Sequence, residues 1–130
     1  MLKDRNSSAI VAVADIDRAR TFYRDILGLT LEQDGEGDMS GVLGFRTGDT
    51  WLSVYRSDYA GTNRANAVTW NMKGDLKETV RALLDKGVVF ENYGDMDGMT
   101  FADGVYSAGA VKLAWFKDPD GNILHLIEGM

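Results

Sequence analysis

The hydrophobic positions of the chain follow two alternating rhythms. Ser8–Val13 reads SAIVAV, an apolar run short enough for a strand. After Asp15, the residues Ile16, Ala19, Phe22, Tyr23, Ile26 and Leu27 recur at the spacing of one helix face. Asp15 is placed to cap that helix and Gly28 to end it, and Leu29–Glu32 resumes a strand. The order then repeats. Ala67–Met72 (AVTWNM) is a strand, and Asp75 to Glu78 has the spacing of a capping box. Leu76, Val80, Leu83 and Leu84 form an apolar helix face, Gly87 ends the helix, and Val88–Glu91 is the next strand. GLTLE at 28 and GVVFE at 87 are offset by 59 residues, and Ile16 and Leu76 by 60. So constant an offset points to an internal repeat, a feature to be settled before any other reading of a sequence.

Each unit then adds two more strands. In the first they are Gly41–Arg46 and Trp51–Tyr55, joined through Thr47-Gly48-Asp49. In the second they are Ala110–Phe116 and Ile123–Ile127, joined through Asp118-Pro119-Asp120-Gly121. The predicted fold is therefore α+β: two tandem βαβββ modules in one domain over 1–130. Module 1 covers about 7–56, a polar linker 57–64, and module 2 about 65–128. The modules are expected to form a cupped mixed sheet with helices outside, curled around one small-molecule pocket. Asn92–Ser107 breaks the symmetry. It is long and rich in Gly, Asp and Met, and reads as a lid or a surface excursion.

Strand parity suggests which side chains face the cup. In the last strand Leu124 and Leu126 share one face, and Ile123, His125 and Ile127 the other. In the first strand Ser8, Ile10 and Ala12 form the smaller, more polar face, which leaves room for a ligand. Trp51, Ser53 and Tyr55 share a face of their strand. Trp70 shares parity with Met72 and is expected under the second helix. The candidate ligand-binding residues are Ser8, Ile10, Trp51, Ser53, Tyr55, Tyr93, Phe101, Trp115 and His125. Aromatic faces among them suit a planar or cationic molecule.

Composition narrows the function. There is no cysteine, so no disulfide, thiolate metal site or Cys nucleophile. A net charge of −6 argues against nucleic acid and agrees with a cationic ligand. MLKDRNSS has no apolar core of a signal peptide, and no apolar run reaches about 18 residues, so a cytoplasmic protein off the membrane is expected. His125 is the single histidine. It has no evident acid–base partner, since Asp95, Asp97 and Asp103 lie in the long loop, and no third group orients a Ser8–His125 pair. No catalytic residue is assigned.

VADIDRARTFYRDILGL (Val13–Leu29) and WFKDPDGNILHLIE (Trp115–Glu128) closely resemble the vicinal oxygen chelate superfamily, the group of glyoxalases, bleomycin resistance proteins and extradiol dioxygenases. The resemblance implies paired βαβββ modules and often a homodimer. It also implies one divalent metal held by His, Glu or Gln on matching strands. The matching positions fall on Ser8, on Ala67 or Asn66, on the Trp51–Tyr55 strand, and on His125. Only His125 is a plausible donor, so no metal or other cofactor is expected. The reading is a metal-independent binder that sequesters or senses an aromatic or cationic small molecule. The alternative is a metal-dependent glyoxalase-like lyase, epimerase or dioxygenase. A third possibility is an accessory sensing domain.

Overall fold

A computed structural model describes residues 1–35 and 40–130. The chain divides into two compact units, Met1–Asn63 and Arg64–Met130. In the first, β1 (Ala9–Val13) leads into α1 (Ile16–Arg20), followed by β2 (Thr30–Asp34), β3 (Val42–Thr47) and β4 (Thr50–Arg56). In the second, β5 (Asn66–Met72) leads into α2 (Leu76–Asp85), followed by β6 (Thr100–Ala102), β7 (Val105–Ala108), β8 (Val111–Lys117) and β9 (Ile123–Glu128). Each unit has its own mixed sheet, in the orders β1-β4-β3-β2 and β5-β9-β8-β7-β6. In both, the first strand runs parallel to the last and every other pair is antiparallel. This is the α+β class expected, as two modules of the βαβββ kind, the second with one further strand.

The first helix begins as expected. The Asp15 carboxylate accepts from the Asp17 and Arg18 backbone N–H groups at 2.9 and 3.0 Å. Past Arg20 the helix widens into a π-helical stretch, Thr21–Ile26. It buries Phe22 and Tyr23, with the Tyr23 ring 5.8 Å from Phe45 of β3. Gly28 and Gly87 end the two helices at φ 74° and 89°, a conformation glycine adopts without a Cβ penalty. The core of this unit sits between the helix and the face of Val11, Val13, Leu43, Phe45, Leu52 and Val54.

The second helix departs from expectation at its start. Asp75 makes no side-chain bond to the helix; it accepts from the Lys73 N–H instead. The cap comes from far along the chain, because Glu128 Oε1 of β9 accepts from Leu76 N–H at 3.0 Å. A strand end directly under the first turn offers a carboxylate where the local one points away. Leu76, Val80 and Leu83 are buried as expected, whereas Leu84 is 39% exposed.

Two strand expectations also change. Val88–Glu91 is not a strand. It makes one isolated bridge, Phe90 to Phe116, plus a Glu91 N–H to Trp115 carbonyl bond of 2.7 Å, then leaves the sheet. Its place beside β8 is taken by β7. The 92–107 segment is accordingly not a plain excursion, since its second half is the β6–β7 hairpin that forms the sheet edge. The hairpin turns on Asp103 and Gly104, with φ of 52° and 86°. Asp-Gly is a pair suited to two successive positive φ angles. A Cβ on Gly104 would lie 3.0 Å from the Phe90 Cβ, so the turn is also held by close packing.

Candidate functional site

Each sheet has one face under its helix and one face turned away from it, and the candidate residues that lie in strands fall on the second kind. In the first unit the cross-strand pairing is Ile10 to Ser53, Ser53 to Gly44 and Gly44 to Gln33. Trp51 pairs with Arg46, and Tyr55 with Val42 and Ala12. Ile10, Trp51, Ser53 and Tyr55 thus share a face, as parity predicts. Ile10 is 64% exposed, a large apolar side chain with little cover. Ser8 lies outside β1 and is exposed.

This face is organised around Arg46. Its guanidinium lies 5.1 Å from the Trp51 ring and donates to both Glu32 oxygens, at 2.6 and 3.0 Å. The pair holds the Glu32 carboxyl below its ordinary range and raises Arg46. Gly44 leaves the space into which Gln33 and Trp51 lean; a Cβ there would meet them at 3.1–3.3 Å. The arrangement is polar, exposed and internally satisfied.

The second unit carries a different surface at matching positions. His125 pairs with Trp115 on one side and Thr69 on the other. The His125 and Trp115 rings stack, with centroids 4.6 Å apart and 11° between planes. Trp115 meets Tyr93 and Tyr106 edge-on at 5.5 and 5.8 Å, and Tyr106 meets Phe101 at 4.6 Å. Four of the nine sequence-predicted residues (Tyr93, Phe101, Trp115 and His125) therefore belong to one aromatic panel. Tyr106 joins them at its centre and was not among the candidates. Its hydroxyl accepts from Tyr93 N–H at 2.7 Å and lies 3.0 Å from Asn92 Oδ1 and from the Gly94 carbonyl. That one hydroxyl fastens the 92–94 segment to the panel.

Thr69 was also missed. A register shift between Asn66 and Val68 places it opposite His125, two residues beyond Ala67, where the resemblance put the ligand position. The alternation of Ala67, Thr69 and Asn71 against Val68, Trp70 and Met72 is its sequence signal. Trp70 pairs with Leu126 and Met72 with Glu128, on the helix side, as expected.

His125 is 9% exposed, and burial lowers its pKa, which favours the neutral ring. Its Nδ1 lies 3.0 Å from Thr69 Oγ1. Its Nε2 is buried and has no hydrogen-bond partner. Such an atom is an exception in native proteins, where buried polar groups are met by protein, water or ligand.

The metal implied by the resemblance needs three or four convergent donors. Among the described residues no three His, Cys, Asp or Glu side chains come together in a way that could hold an ion. Thr69 and Trp115 flank His125 where a second or third donor would be needed. Among the described residues the donor set does not fit a divalent metal.

Among solved structures, the chain is similar to a glyoxalase family protein from Enterococcus faecalis (19% identity, 98% of this chain and 100% of that one, TM-score 0.71). It is similar to a lactoylglutathione lyase from Agrobacterium tumefaciens (16%, 97% and 94%, TM-score 0.69). It is also similar to TnmS3, an antibiotic binding protein from Streptomyces sp. CB03234 (20%, 100% and 99%, TM-score 0.67). At these identities the likeness is one of fold. No curated protein sequence matches the chain. No helix among the described residues is long and apolar enough to cross a membrane. Residues 7–126 match the Glyoxalase/Bleomycin resistance protein/Dioxygenase superfamily, and the chain belongs to that superfamily.

Proposed function

We propose that this protein binds a planar aromatic cation without a metal, in the manner of a sequestering or sensing protein rather than an enzyme. The observation that carries the reading is the buried, unpartnered Nε2 of His125 on a ring already stacked against Trp115. A ligand laid on the panel of Tyr93, Trp115 and Phe101 gains flat apolar contact, and a polar atom at its edge satisfies the imidazole. Neutral His125 with Nδ1 engaged by Thr69 is fixed in orientation for that one bond. The net charge of −6 favours a cation over an anion as the approaching species. An antibiotic binding protein among the structural relatives shares the fold and agrees with this reading. We place the protein in the cytoplasm as a homodimer with no nucleic-acid partner; sedimentation checks the dimer.

The test titrates the protein with proflavine, a flat aromatic cation, in chelator-treated buffer, with tryptophan quenching as the readout. Saturable quenching is expected, lost in Trp115→Phe and weakened about tenfold in His125→Ala, equivalent to roughly 1.4 kcal/mol. Thermal stabilisation that appears only after zinc, nickel or iron is added, with turnover of a hemithioacetal, overturns the reading in favour of a lyase.

A further inference from the structure

The β6–β7 hairpin has two sides with different surfaces. Phe101 and Tyr106 pair across it and point to the aromatic panel. Thr100 pairs with Ser107, and Ala102 with Val105, on the opposite side. That side and α2 enclose a groove of about 310 Å³. Its helix wall is Lys77, Val80, Arg81 and Leu84; its hairpin wall includes Thr100, Val105 and Ser107, with Asp103 at the turn. The volume is at the lower end of the roughly 300–1,000 Å³ of small-molecule pockets.

Three observations show what this groove would hold. Leu84 belongs to the apolar face of α2 yet is 39% exposed, so the groove has apolar surface that no protein group covers. Lys77 and Arg81 are one turn apart on the same helix face, a like-charge pair that repels. Neither has an ion-pair partner within 4 Å among the described residues, although Glu78 and Asp85 are on the same helix. Two unpaired cations beside uncovered apolar surface are complementary to an anion with an apolar body. Asp103 at the far wall disfavours a second negative charge.

We propose that the groove between α2 and the β6–β7 hairpin is a second ligand site, for a small organic monoanion with an apolar body. The carboxylate lies between Lys77 and Arg81, and the apolar part lies over Val80, Leu84 and Val105. The hairpin is shared, because the strand that carries Tyr106 on one side carries Val105 and Ser107 on the other.

Three ligands of one chain length decide it: octanoate, octanol and the dicarboxylate suberate, each followed by amide chemical-shift titration. Octanoate is expected to saturate with shifts confined to α2 and β6–β7, at least tenfold tighter than octanol or suberate. Lys77→Gln/Arg81→Gln should weaken octanoate at least tenfold and leave octanol unchanged. Ala102→Phe, an exposed position on the hairpin wall, should block both. Equal affinity for octanol and octanoate, shifts centred on the Trp115 indole, or no saturation at millimolar octanoate each overturns the proposal. None of these outcomes depends on whether proflavine binds the aromatic panel.

Discussion

The two units share a topology and differ in what they set at its centre. In the first, the middle of the face turned away from the helix is Ile10–Ser53–Gly44; in the second it is Thr69–His125–Trp115. One centre is small: Gln33 and Trp51 lean over Gly44, and Arg46 beside them is bonded to Glu32 and lies against Trp51. The other is large, flat and left with an unmet nitrogen. A repeated backbone can thus carry two different surfaces through side-chain size alone, one built on an exposed ion pair and the other on stacked rings with an unpartnered imidazole nitrogen.

Mutations test that contrast most directly at Tyr106. Tyr106→Ala removes a buried ring from the panel and should cost about 3–5 kcal/mol in urea unfolding. A loss under about 1 kcal/mol would mean the panel is not an integral part of the second unit. Tyr106→Phe keeps the ring and leaves Tyr93 N–H without its acceptor. Its expected cost is about 1–3 kcal/mol, with faster hydrogen exchange at Tyr93. Unchanged exchange there would show that the hydroxyl does not hold the segment.

The pH dependence sharpens the contrast further. Burial lowers the His125 pKa in the folded chain, so the unfolded chain takes up a proton first. The folded state carries no penalty above pH 6.5 and is progressively destabilised as pH falls below it. His125→Gln should remove that slope between pH 7 and 5; a variant with the wild-type slope would place its origin elsewhere. Glu128 acts lower. Leu76 N–H, and then Lys112, hold its carboxyl below the ordinary 4.5, so its contribution is present above that value and lost as pH falls beneath it. The smallest effect belongs to the first unit. Arg46→Met breaks an exposed ion pair and a cation–π contact, and a urea midpoint close to that of the wild type is expected.

Much of this architecture was legible in the sequence because it rests on local rules. Asp15, Gly28, Gly87 and the DPDGN turn mark element ends by short-range chemistry. In that turn the buried Asp118 carboxylate accepts from the Asp120 and Asn122 N–H groups and from the Asn122 amide. Period-two parity put Ile10, Trp51, Ser53 and Tyr55 on one shared face, as the cross-strand pairing does. What escaped depends on partners distant in the chain. Glu128 takes over the cap from Asp75 only because β9 ends beneath α2. Tyr106 becomes central only because β7 replaces 88–91 at the edge of β8. The register shift that brings Thr69 to His125 leaves no mark in local composition.

The cap from Glu128 has a consequence in time. On the ribosome the first unit has all four of its strands once Arg56 has emerged. The second unit has made β5 and α2 early, but β5 waits for β9, its neighbour in the sheet, and α2 waits for Glu128 to meet its first free amide. Vectorial synthesis therefore leaves an amphipathic helix and an unpaired strand waiting until the unit is nearly finished, and that interval is when a nascent chain is most open to chaperones and to mispairing.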